Sequence, residues 1–223
     1  MSLITVHHLN DSRSQRVLWA LEEMGRDYEI IRYQRDPRTM LAPPALRAIH
    51  PLGKSPVIED GAEVVAETGA ILEYLTEGAP SDLRPDRATG VGRRVTYWLH
   101  YAEGSAMTPL LLRLIFDQMP VKSPALFRPV ARGIAGRMND LLIQPQLETH
   151  IGYWEDDLSE GHFAGPDFTI ADIVMSFPVE MAALRVGLGD KPALHDWLAR
   201  MHARPAYQRA LERGGPYSGG AAT

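Results

Sequence analysis

No cysteine occurs anywhere in the 223 residues of this chain. A disulfide framework, a thiolate metal site and a cysteine nucleophile are all excluded, and any sulfur chemistry has to arrive with a ligand. An excess of positive charge is missing too: 23 Lys and Arg face 28 Asp and Glu, a formal net charge of -5. Phosphate backbones and anionic lipid reward clustered Lys and Arg, so neither nucleic acid nor a membrane is expected as a partner. Long hydrophobic runs are absent, and the opening "MSLITVHHLN" shows no basic region leading into an apolar one, which predicts a soluble, cytoplasmic protein. Internal repeats are lacking as well.

What is present is a globular balance, 45% hydrophobic and 23% charged, enough to form a core. The length suits two modest domains better than one. "LITVHHL" is short, β-branched and stopped by Asn-Asp-Ser, as a buried strand is. In "SRSQRVLWALEEMG" the apolar residues Val17, Leu18, Leu21 and Met24 recur at helical steps before Gly25. "DYEIIRY" alternates like a second strand, which completes a βαβ unit. Prolines 37, 43, 44 and 51 then leave room only for a helical turn around Ala45 to Ile49. Further on, Pro56 to Ile58 and Val64-Val65 flank an Asp60-Gly61 turn signal, and a helix is predicted from Thr68 to Thr76.

Beyond "PSDLRP", a linker with a boundary near residue 82, the periods are almost all helical. Ala88 to Met119 reads as one long amphipathic stretch with Gly104 and Pro109 as bend points. The expected fold class is an α/β N-terminal domain (βαβ-ββα) over 1–81 followed by an all-α domain over 87–213. The Gly-rich end, 214–223, is expected to be a flexible tail.

Three segments carry more specific information. In "GKSPV" a Ser-Pro bond stands at the mouth of a strand, in "AETGAILEYL" an acidic and a hydroxyl residue open a helix, and in "FTIADI" Thr169 and Asp172 form an [ST]-x-x-D capping box. In this order, over nearly the whole chain, they resemble the cytosolic glutathione S-transferases, and "HHLNDSRSQRVLWALEE" and "YWLHYAEG" are most similar to a bacterial and fungal subgroup. The resemblance implies a thioredoxin-like N-terminal domain and a cis Ser55-Pro56 bond that frees the backbone of Ser55 for the cysteinyl part of glutathione. It also implies Glu67 and Thr68 as partners of the γ-glutamyl ammonium and carboxylate. Lys54 suits the glycyl carboxylate, with Arg35, Arg38 and His50 as weaker candidates. The capping box is implied to serve folding, not catalysis.

In this family the nucleophile is the thiolate of bound glutathione. Lowering a thiol pKa from roughly 8.5 to about 6.5 requires about 2.7 kcal/mol of differential stabilisation. One or two aimed hydrogen bonds at a helix N-terminus can supply it. No Tyr precedes the first helix, so the donor is sought among Asn10, Ser12 and Ser14. Ser12 stands first, although Ser12 and Gln15 also form an S-x-x-Q capping box; Asn10 comes second, as an amide donor that needs no ionisation. Tyr97, Tyr101 and Met107, with Trp98 beside them, are expected to line a pocket for a hydrophobic electrophile.

The resemblance thus implies a homodimeric glutathione transferase with glutathione as co-substrate and no metal, and peroxidase activity on organic hydroperoxides as a further option. The alternatives are a glutathione-dependent enzyme of narrow catabolic scope and a non-catalytic interaction or regulatory protein. The retained "GKSP" and "AET" argue against the last.

Overall fold

Strand β1 (Ile4–Leu9) is buried along almost its whole length because it lies inside a four-stranded sheet of order β2-β1-β3-β4. It pairs in parallel with β2 (Tyr28–Tyr33), and α1 (Ser14–Glu23) makes the crossover that a parallel pair requires. β3 (Val57–Asp60) runs antiparallel to β1 and to β4 (Glu63–Ala66), and Gly61, at φ 64°, turns that hairpin. Between β2 and β3 only the single turn α2 (Leu46–Ile49) forms, as the prolines demand; α3 (Thr68–Leu75) follows β4. These statements rest on a computed structural model that describes residues 3–78, 81–215 and 217.

The second half is helical throughout. The stretch expected as one bent helix is divided: α4 (Gly90–Tyr101) passes through a π-helical turn at Ala102–Ala106 into α5 (Met107–Lys122). Gly104 sits in that turn, so the break falls at one of the two expected positions; Pro109 is absorbed in the first turn of α5, where its missing N–H costs nothing. A second π turn, Asn139–Ile143, joins α6 (Arg128–Met138) to α7 (Gln144–Asp157). The remaining helices are α8 (Ile170–Arg185), α9 (Pro192–His202) and α10 (Pro205–Gly214). No helix among the described residues is long and apolar enough to cross a membrane.

The Thr169–Asp172 capping box at the start of α8 is formed as expected: the Asp172 carboxylate accepts the Thr169 amide at 2.9 Å, and the Thr169 hydroxyl accepts from Ala171. Asp172 also takes the Trp197 indole N–H at 3.0 Å and the Phe163 amide, so this buried carboxylate ties α8 to α9.

The two halves share one apolar core, and α10 packs directly on α1. Within that interface Arg16 and Glu180, both wholly buried, form a two-pronged ion pair at 2.7 and 3.1 Å. His202, Tyr207 and Tyr217 also hydrogen-bond the Glu180 carboxylate. Tyr217 belongs to the segment expected as a flexible tail. Gly214 is likewise the last residue of α10, so the described part of that segment is docked; residues 216 and 218–223 of it lie outside the described residues.

Candidate active site

The sheet brings the glutathione-related motifs to one corner. Ser55 and Pro56 are joined by a cis bond. The Ser55 hydroxyl donates to the His7 carbonyl at 2.7 Å and accepts the Leu9 amide at 3.3 Å, which fastens this segment to the end of β1. Among the described residues the amide and carbonyl of Ser55 itself enter no backbone hydrogen bond. The register Val57↔Ala66 sets Ser55-Pro56 beside Glu67-Thr68. Glu67 is exposed, with φ at 72°, and Ile71 is the first amide to bond back to its carbonyl. The amides of Thr68, Gly69 and Ala70 thus stand at the open N-terminus of α3, and the side chain of the buried Thr68 has no partner among the described residues. Lys54 is exposed next to Ser55, and Gly53, at φ 58°, lies so tightly against Arg47 that a Cβ there would meet Arg47 Cγ at 2.6 Å.

The loop from Asn10 to Arg13 borders this corner. Ser12 and Ser14 turn inward: they are 5% and 0% exposed, their hydroxyls lie 2.6 Å apart, and Ser14 Oγ lies 2.9 Å from His8 Nδ1. Burial, with the charge of Arg32 adding, pulls the His8 pKa down to about 4, so the ring is neutral near pH 7. Its other side faces Gly214 and hydrogen-bonds that residue's backbone, which puts the ring hydrogen on Nε2 and leaves Nδ1 an acceptor. The Ser14 hydroxyl therefore has two acceptors, His8 Nδ1 and the Leu9 carbonyl at 3.3 Å, and when it donates to either of them the short contact is Ser12 donating to Ser14. The expected Ser12–Gln15 box does not form. Ser12 Oγ accepts the Ser14 amide at 3.2 Å instead, and the buried Gln15 amide group finds no partner among the described residues.

Asn10 is only half-buried, and its orientation is fixed. The backbone N–H of Arg35, which can only donate, points at Asn10 Oδ1 at 2.8 Å, so the amide nitrogen Nδ2 must occupy the opposite side. No partner for Nδ2 is present among the described residues. The guanidinium of Arg35 is occupied by the carbonyls of Asn10, Asp11 and Met40 at 3.0–3.2 Å, which removes it as a free cation for a carboxylate. Arg38 is exposed, and the His50 carbonyl accepts the Gly53 amide.

The expected aromatic pocket is arranged differently. Tyr101 is hydrogen-bonded through its hydroxyl to His150 and to the Trp154 indole, and it stacks on Tyr97 at 5.5 Å. Trp98 is wholly buried and stacks on Tyr153 of α7, while Met107 belongs to the shared core. These rings bind α4 to α7. The residue of this segment that reaches the thiol loop is Glu103, in the π turn: its carboxylate lies 3.0 Å from Arg13 Nε, close enough for charge pairing although that N–H is not aligned for a hydrogen bond. Burial pushes the Glu103 carboxyl upward, Arg13 opposes this and Glu67 adds to it, so the three charges are within electrostatic reach of one another. Phe177 lies 4.9 Å under the Arg13 guanidinium, with Tyr217 next to it. Arg13, Glu103, Phe177 and Tyr217 were not legible as site residues, since they meet only through the packing of α1 on α8 and the π turn. The one available signal was Gly104, which marked the bend.

Two surface clefts, of about 680 Å³ beside Leu83 and Phe168 and about 440 Å³ beside Arg35 and Arg47, are not lined by Asn10, Ser55 or Thr68. What defines this corner is the set of polar groups left open.

A family model described as the N-terminal domain of glutathione S-transferase matches residues 12–77. Glutathione S-transferase 3 of Schizosaccharomyces pombe is 33% identical over 95% of this chain and 88% of its own length. Glutathione S-transferase 1 of Saccharomyces cerevisiae is 30% identical over 96% of each. The chain belongs to the glutathione S-transferase family. Among solved structures, a glutathione S-transferase from Actinobacillus pleuropneumoniae superposes with a TM-score of 0.76 at 29% identity, covering 98% of this chain and 96% of that one. A sphingomonad glutathione S-transferase complexed with glutathione reaches 0.70 at 22% identity over 95% and 98% and shares the fold. The thioredoxin-like sheet followed by a helical region is thus the glutathione S-transferase fold.

Proposed function

We propose that the protein is a cytoplasmic glutathione transferase that holds glutathione at the corner between β1, β3 and α3 and presents its thiolate to an electrophile. The observation that carries the reading is that Ser55, Thr68 and Asn10 all keep polar groups without a partner among the described residues at this one corner, open to a ligand. In this assignment the Ser55 amide and carbonyl pair with the cysteinyl backbone like an added strand. The Thr68 hydroxyl and the first amides of α3 take the γ-glutamyl carboxylate, Glu67 takes the ammonium, and Lys54 faces the glycyl carboxylate.

Asn10 is the main thiolate donor, because its Nδ2 is free and fixed in direction whereas the hydrogen of Ser12 is directed at Ser14. Ser12 is the second reading: if Ser14 turns its hydrogen from His8 toward Ser12, the Ser12 hydroxyl can donate to sulfur, as the 2.6 Å contact permits either way round. The amide or hydroxyl stabilises the anion as an oxyanion-hole donor does, with no general base. The acceptor side is formed by Arg13, Glu103 and Phe177, with Tyr97, Tyr101 and Met107 behind them in support. This wall is more polar than the sequence implied; it suits apolar acceptors that carry a polar head, including organic hydroperoxides. A second copy of the chain is the proposed cover for the exposed Leu111, Ile115, Val130, Ile134 and Leu141 on the helical half; sedimentation at micromolar concentration should report a dimer.

The deciding experiment titrates the ultraviolet thiolate absorbance of the glutathione complex in the native protein and in N10A, S12A and S14A, beside activity assays with chloronitrobenzene and cumene hydroperoxide. The native complex should ionise about two units below free glutathione, and N10A should remove most of that shift. A larger loss in S12A would move the role to Ser12. Binding without any thiolate signal or turnover would favour a non-catalytic protein.

A further inference from the structure

Arg35 is the residue through which β2 takes hold of the thiol loop. Its backbone amide fixes Asn10 Oδ1 at 2.8 Å. Its side chain then reaches back over the same loop: Nε donates to the Asn10 carbonyl at 3.1 Å and Nη2 to the Asp11 carbonyl at 3.2 Å, while Nη1 is anchored on the Met40 carbonyl at 3.0 Å. The Asn10 amide N–H adds a fourth tie, to the Tyr33 carbonyl at 3.2 Å. This matters because Asp11 stands with φ at 48°, a left-handed conformation that an Asp adopts only with support. The loop is therefore held from outside by a planar donor fork, a geometry that a lysine cannot reproduce.

The same guanidinium answers an electrostatic difficulty. A carboxylate next to a thiolate raises the thiol pKa. Asp11 is the residue after the proposed donor, and its charge interacts with Arg35.

We propose that Arg35 is a positioning residue for catalysis: it fixes the backbone on both sides of the Asn10 side chain so that Nδ2 faces the glutathione sulfur, and it offsets the charge of Asp11 beside the nascent thiolate. This rests on the assignment of Asn10 as donor. It also replaces the expectation that Arg35 binds the glycyl carboxylate.

The test compares the native protein with R35M, R35K, N10A and the double variant N10A/R35M at saturating glutathione, reading the thiolate pKa from ultraviolet absorbance and kcat as a function of pH. R35M should raise the thiolate pKa by about one unit, so that kcat falls about fivefold near pH 6.5, approaches a loss of about tenfold at lower pH, and converges on the native value well above the new pKa. R35K should recover less than half of this shift, because it restores the charge facing Asp11 but not the fork. The double variant should be worse than N10A by only the charge part of the R35M shift, the part that R35K restores, because the positioning part acts through Asn10.

An unmoved pKa in R35M, alongside a moved one in N10A, overturns the role of Arg35 and leaves the donor assignment standing. Effects of R35M and N10A that multiply in full in the double variant overturn the positioning role as well. If N10A leaves the pKa unmoved, the donor assignment fails and the role argued through it fails too. A loss confined to the KM for glutathione, with the thiolate pKa intact, would return Arg35 to substrate binding.

Discussion

Two polar centres, one built on Arg16 of α1 and one at the loop that leads into that helix, follow opposite rules. At Glu180 every polar neighbour converges: Arg16 pairs with both carboxylate oxygens, and His202, Tyr207 and Tyr217 complete the shell around a wholly buried charge. At the corner of Asn10, Ser55 and Thr68 the polar groups are held just as firmly, but from behind, and their outward atoms are left without partners. A closed polar shell fixes how the two halves of the chain sit together. An open one is available to a ligand, and the cost of leaving it open is tolerable because the groups reach solvent.

The comparison breaks most visibly at Glu180. E180A should cost about 3–5 kcal/mol in urea unfolding, since it strands a buried guanidinium, and R16M/E180M should recover much of that. A loss below about 1 kcal/mol would show that the centre is not a lock.

The next effect concerns His8, which lies between the two centres. Its folded pKa of about 4 is below the free value near 6.5, so between these pH values the unfolded chain binds more protons. Stability should therefore rise with pH across this window and be lost as the pH falls through it, by up to about 3 kcal/mol. H8Q should flatten that slope; an unchanged slope would assign it to other groups.

At the open corner the expected effect is smaller and of another kind. T68V should weaken glutathione binding about tenfold in calorimetry, while the unfolding midpoint barely moves, because the hydroxyl has no partner to lose within the chain. If stability fell and affinity held, Thr68 would belong with the closed centre. Smallest of all, Y217F removes one of several donors to Glu180 and should cost about 1 kcal/mol.

Much of the fold was legible because its signals are local. The strand-helix-strand pattern, the Asp60-Gly61 turn and the Thr169–Asp172 box are decided within a few residues, and "GKSP" and "AET" came with their backbone settings. The direction of a side chain is not decided that way. Ser12 looked like a cap for its own helix, but its hydroxyl meets Ser14, because His8 presents an acceptor whose tautomer is set by Gly214, some 200 residues downstream. Asn10 is oriented by the backbone amide of Arg35, just after β2. Tyr97 and Tyr101 have the composition of a pocket, yet α7 supplies their partners, and no period within α4 could announce that.

Gly214 has a consequence for how far the two halves can be separated. A Cβ there would come within 2.8 Å of Leu18 Cδ1 and 3.4 Å of His8 Cε1, so α10 closes on the sheet and α1 at nearly backbone distance. His8 and Leu18 belong to β1 and α1, yet the end of α10 is part of what covers them. A fragment without α10 would leave both side chains uncovered, so the setting of the Asn10–Arg13 loop is a shared property of the two halves.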